Sequence, residues 1–156
     1  MLSGWRVAAS EYSSTVSKIM SGEGAYLYGG RWNSKGTRVV YLGTSLAQAS
    51  MELLVHLGRA DVLNNYSKLE VFFDEGLMQH IAIDDLPEDW DDPSMAASVQ
   101  TVGDDWVKDQ SSLILQVPSA VVTGEYNYLF NPRHSDFNKA VFSEIMPFSY
   151  DSRLLK

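Results

Sequence analysis

The chain has 156 residues, 45% hydrophobic and 21% charged, which suits one globular domain (1–156) able to bury a core unaided. The absence of cysteine excludes disulfides, thiol chemistry and thiolate zinc sites, and the three histidines (His56, His80, His134) lack ligand spacing, so no metal is expected. A net charge of −8 argues against direct nucleic-acid binding, no apolar run is long enough to cross a membrane, and the opening residues lack signal-peptide character, so a cytoplasmic protein is expected.

In chain order, residues 13–20 are amphipathic and predict a short helix after Trp5-Arg6-Val7-Ala8. Gly22-Glu23-Gly24-Ala25 and Gly29-Gly30 read as glycine-rich loop, where backbone can approach a ligand closely. Residues 38–42 read as a buried strand closed by Gly43. Ser45, with Gln48 three residues later, predicts a capping box opening a helix whose apolar face is Leu46, Ala49, Leu53 and Leu57, with Gly58 as its stop.

Residues 66–73 alternate and predict a strand, and 81–83 predict another short one. Residues 84–109 carry nine acidic groups and one lysine, with Pro87 and Pro93, and read as a solvated loop holding a short helix at 95–99. Residues 113–117 and Val121-Val122 look like core strands, 127–134 is turn-like, and 140–148 predicts a closing strand. Strands outnumber helices after the first third in a mixed order, which predicts α+β with a largely antiparallel sheet.

Charge is uneven along the chain. Residues 1–50 carry five basic groups against two acidic ones, whereas 51–156 carry seven against eighteen. Such asymmetry fits a cationic pocket for a small anion inside an acidic protein, or chance clustering on a solvated surface. No nucleophile elbow, phosphate-binding loop or His-Glu-x-x-His motif is present.

What stands out is Gly29-Gly30-Arg31-Trp32-Asn33, then Tyr41, then Glu52 on the capped helix. A guanidinium after two glycines can fork onto phosphate or carboxylate, or it can tie down its own loop. Tyr41 can stack on a flat heterocycle, or be a core tyrosine with a satisfied hydroxyl. Glu52 shares a helical stripe with Ser45, Gln48 and His56, which either lines a cleft or faces water.

At these residues the chain resembles the RES-domain family, the toxins of RES–Xre toxin–antitoxin modules. The resemblance runs through Trp5-Arg6, the 29–33 block, Val40-Tyr41, Glu52-Leu53-Leu54-Val55-His56, Val117-Pro118-Ser119-Ala120-Val121-Val122, Glu125-Tyr126-Asn127, Asn131-Pro132-Arg133-His134 and the last residues from Pro147. It implies a compact fold similar to ADP-ribosyltransferases and an activity that depletes NAD⁺. It places the family's arginine at Arg31, tyrosine at Tyr41, glutamate at Glu52 and serine at Ser119, with Ser111 and Ser112 as nearby alternatives. It also implies an Xre-type antitoxin partner and a homodimer within the complex.

On that reading Arg31 holds the pyrophosphate, helped by Arg6 or Lys35, and Tyr41 stacks on nicotinamide. Glu52 faces the cationic ribose, and Ser119 bonds the ribose or carboxamide. NAD⁺ is then a substrate and no cofactor is needed. The acceptor is water, inorganic phosphate or a protein side chain, the last making the chain a mono-ADP-ribosyltransferase. A non-catalytic nucleotide- or partner-binding module is the competing class. The enzyme reading requires Arg31 and Glu52 to converge on one cavity sized for a dinucleotide.

Overall fold

The computed structural model describes residues 1–94 and 97–155. Among them are β1 (Leu2–Ala9), β2 (Val40–Gly43), β3 (Tyr66–Phe73), β4 (Met78–His80), β5 (Ile114–Pro118), β6 (Tyr126–Phe130), β7 (Val141–Phe142) and β8 (Met146–Phe148). The strands form one sheet in the order β4-β5-β6-β2-β1-β3-β7, with β8 also paired to β3. Every pairing is antiparallel except β4 with β5. The fold is α+β with a mixed, largely antiparallel sheet, as the sequence predicts.

The helices are α1 (Val16–Ile19), α2 (Glu23–Tyr28), α3 (Leu46–Leu54) and α4 (Ala97–Asp109). None is long enough to be stable alone in water, so packing on the sheet holds them. Strand alternation sends Val40 and Leu42 to one face, where they join Leu69, Phe73, Ile114 and Phe130 beneath Ile19 and Met20. Val39 goes to the other face, with Leu115, Val117 and Leu129 beneath Val99 and Trp106 of α4; Tyr41 packs against this second core. Beside it on that face α3 covers a third core, built from Val7, Ala49, Val62, Tyr66 and Tyr150. Gly43 lets α3 sit this close, because a side chain there would collide with the Ala49 backbone.

Several local expectations are corrected. Glu23–Tyr28 is helical despite its glycines, with Gly22 as a left-handed N-cap. Residues 97–109 form a helix of 13 residues, not a loop; the predicted helix at 95–99 lies partly outside the described residues. Its buried positions Val99, Gly103 and Trp106 keep helical spacing within an acidic segment. Residues 126–130 are a central strand where a turn was expected, because its alternating Tyr126, Tyr128 and Phe130 are masked by asparagines. The strand expected at 81–83 lies three residues earlier, at Met78–His80. Val121-Val122 is a turn, and the closing strand is split into β7 and β8. β1 was not anticipated.

Helix α3 itself begins as predicted, with Ser45 Oγ accepting from the Gln48 N–H. The capping box is only half formed, since the Gln48 side chain turns inward instead of back to Ser45. Gly58 does not stop the helix, which ends four residues earlier at Leu54. Among the described residues no helix is long and apolar enough to cross a membrane.

Candidate active site

The carboxylate of Glu52 is the centre of a dense polar cluster. Its Oε1 accepts from Gln48 Nε2 at 3.0 Å, Ser119 Oγ at 2.7 Å and Asn127 Nδ2 at 2.5 Å. Among the described residues no hydrogen bond reaches Oε2. Gln48 and Asn127 are buried and Glu52 is half-buried, so this side of α3 faces the protein, whereas His56, beyond the end of the helix, is exposed.

Ser119 follows the end of β5, where the chain turns back toward β6. Its Oγ accepts from the N–H groups of Val121 and Val122, so its hydrogen is left to donate to Glu52. Ser112, the alternative, is occupied elsewhere: it accepts from Trp106 Nε1 at 2.8 Å and donates to the Ile114 carbonyl. The expected direct bond from Ser119 to a ribose or carboxamide thus competes with an existing bond to Glu52.

Tyr41 rises from β2 on the face that carries α3 and α4. Its hydroxyl donates to Asn33 Oδ1 and accepts from the Trp32 N–H at 3.1 Å. Burial holds this phenol well above its usual range; the Trp32 bond opposes the shift, the Asp104 carboxylate adds to it, Arg31 opposes it, and Glu52 adds to it. Gly30 makes room for that hydroxyl, since a Cβ there would lie 2.6 Å from it.

Asn33, fully buried, is the hub of this loop. Its Nδ2 donates to the carbonyls of Ala25, Ser34 and Thr37, while Gln100 Nε2 of α4 donates to the Gly30 and Asn33 carbonyls. The sequence reading missed Asn33, Gln48 and Asn127 as site-forming residues. A polar side chain at a core position of a helix or strand was the available signal.

Arg31 does not tie its own loop. Its guanidinium donates to the carbonyls of Trp90 at 3.0 Å and Asp92 at 2.8 Å, and the Trp90 ring lies 6.4 Å from that of Trp32. This draws the 83–92 segment across the site. The hollow left beside Ser119, between Trp90-Asp91 and the 118–126 turn, holds only about 70 Å³. That hollow is far smaller than the open dinucleotide-sized cavity expected from the sequence.

Lys35 is exposed, and Arg6 lies across the sheet with Nε donating to the Ile19 carbonyl; burial lowers its pKa to about 10. Neither is brought to the Glu52 cluster. A larger hollow of about 670 Å³, lined by Met20, Arg38, Arg133 and Phe142, is also on that far face and carries no carboxylate. Among the described residues no cluster of three His, Asp or Glu side chains could hold a metal.

The RES domain matches residues 3–151. This chain belongs to the RES-domain family of toxins. A relative from Photorhabdus laumondii named Toxin Res is 37% identical over 153 residues, covering 97% of this chain and 96% of that one. The Prs ADP-ribosylating toxin of Sphingobium sp. strain YBL2 is 31% identical over 156 residues, with 97% and 96% covered. In fold, the RES domain is similar to a chain of the crystal structure of the M. tuberculosis MbcT–MbcA toxin–antitoxin complex. That superposition has a TM-score of 0.71 at 16% identity and covers 99% of this chain and 86% of the other.

Proposed function

We propose that this RES toxin cleaves the nicotinamide–ribose bond of NAD⁺. The observation that carries the reading is the Glu52 carboxylate, one oxygen of which is fixed by three donors while the other, among the described residues, accepts no hydrogen bond. When the C–N bond breaks, its electron pair leaves with neutral nicotinamide and positive charge develops on the ribose. A fixed carboxylate beside the anomeric carbon stabilises that charge without reorganising at the moment of reaction. Tyr41 is half-buried, and its hydroxyl is already committed to Asn33 and Trp32, which leaves its ring for stacking on the nicotinamide.

Arg31 serves the pyrophosphate, whose oxygens replace the Trp90 and Asp92 carbonyls as the 83–92 segment gives way. An anionic fork partner is stronger than two neutral carbonyls, which favours the exchange. The acceptor that takes the ADP-ribosyl group is water or inorganic phosphate. A second reading, transfer to a protein side chain, is favoured by the name of the Sphingobium relative. The partner is an antitoxin of Xre type that covers this cleft, and the toxin works in the cytoplasm as a homodimer within that complex. The fold neighbour, seen in a toxin–antitoxin complex, supports an antitoxin partner.

Purified toxin incubated with NAD⁺ tests the reading through free nicotinamide. Release without phosphate selects hydrolysis, release only with phosphate selects phosphorolysis, and release only with added cell protein selects ADP-ribosylation. No release under any of the three conditions sinks the proposal.

A further inference from the structure

We infer that Asn127 is the positioning residue that assigns different duties to the two oxygens of Glu52, fixing Oε1 to the sheet and leaving Oε2 to meet the ribose. This rests on the NAD⁺-cleavage reading. Asn127 stands where three strands meet, its backbone in register with Gly43 of β2 and Val117 of β5. Its side chain is therefore carried on a strand held from both sides. Gln48 is equally fixed, one turn before Glu52 on α3 and buried to 4% exposure.

These side chains close a triangle. Gln48 Nε2 donates to Glu52 Oε1 and to Asn127 Oδ1, each at 3.0 Å, and Asn127 Nδ2 donates to the same Glu52 oxygen. The triangle sets the Asn127 amide unambiguously. Flipping it would turn its oxygen onto the carboxylate and its NH₂ onto the Gln48 donor, two repulsive contacts in a buried site. With Ser119 adding a third donor, Oε1 has no capacity left for substrate. Rotation of the carboxylate would break all three bonds together, so Oε2 is held where the charge is required before substrate arrives.

Asn127→Asp keeps the shape and replaces the donor by a like charge; Gln48→Met keeps the volume and removes both of its donors. Each is expected to lower kcat for nicotinamide release by about thirtyfold or more, with KM for NAD⁺ within about twofold. A residue that merely holds the fold would instead move the melting temperature or both constants together. In a Glu52→Gln background, the same substitutions should cost less than about twofold further, because they act through that carboxylate. Unchanged kcat in both variants, or losses that multiply in the Glu52→Gln background, overturns the inference. Should wild-type toxin arrest growth yet release no nicotinamide, the NAD⁺ reading fails, and the same cycle scored as growth arrest still tests the coupling.

Discussion

Ser119 donates its hydroxyl hydrogen to Glu52 Oε1 at 2.7 Å, joining residues 67 positions apart in sequence. The two N–H groups of Val121 and Val122 orient that hydroxyl, so the turn after β5 and the helix α3 are locked together through a single proton. Ser119→Ala should reduce nicotinamide release by about tenfold, the cost of one charge-assisted bond, while the protein stays folded. Ser112→Ala should do the reverse. It strands the buried Trp106 N–H, costing about 1–3 kcal/mol in a denaturant melt, and leaves turnover per folded molecule unchanged.

That contrast shows what was legible in the sequence and what was not. α3 and β3 were readable, because Ser45 caps the helix and Tyr66–Phe73 alternates cleanly. α4 was hidden by its acidic residues and by Gly103, although a structureless stretch of that length should itself have been suspect. Arg31, Tyr41 and Glu52 stand out in the sequence itself, but only the resemblance gives them roles and adds Ser119, since spacing along one element could not distinguish a cleft from solvent. What holds Glu52 was out of reach: Ser119 and Asn127 lie 67 and 75 residues away and arrive only through sheet register. The bond from Arg31 to the Trp90 and Asp92 carbonyls was equally invisible, because a backbone acceptor leaves no mark on composition.

Arg31→Ala should act in two places. Loss of the fork frees the Trp90 and Asp92 carbonyls, so the 83–92 segment should become more sensitive to limited proteolysis in the absence of NAD⁺. Loss of the cation should raise KM for NAD⁺ by about tenfold or more, because a phosphate contact is removed. Resistance to protease equal to wild type would show that Arg31 does not hold the segment, and an unchanged KM would remove it from substrate binding.

Alkaline pH should loosen the seat of α3. Tyr150 donates its hydroxyl to the Ser50 carbonyl at 2.6 Å, tying the chain after β8 to the helix that carries Glu52. Burial, and then neighbouring Tyr66, raise the Tyr150 hydroxyl from 10.0 to about 12. A phenol raised in the folded state stabilises it fully below pH 10.0, and that contribution is lost as pH climbs from there toward about 12. The melting temperature should hold level up to the lower bound and fall across this window. Tyr150→Phe should be less stable at neutral pH but show a shallower alkaline decline. Equal slopes in the two proteins would exclude Tyr150 as a contributor.

Glu52→Gln separates charge from shape better than any other substitution at this site. A glutamine can keep an oxygen where Oε1 receives Gln48, Ser119 and Asn127, and it places an NH₂ where Oε2 stands. The three donors stay paired, so the fold and the antitoxin-binding surface should survive. What disappears is the negative charge facing the ribose cation, and nicotinamide release should fall by about a hundredfold to a thousandfold. Growth arrest on expression should vanish with it. Glu52→Ala, by contrast, leaves three donors facing an empty space and should also lower the melting temperature. Full activity in the glutamine variant would mean that the carboxylate only organises its neighbours, and the reaction would need another source of negative charge.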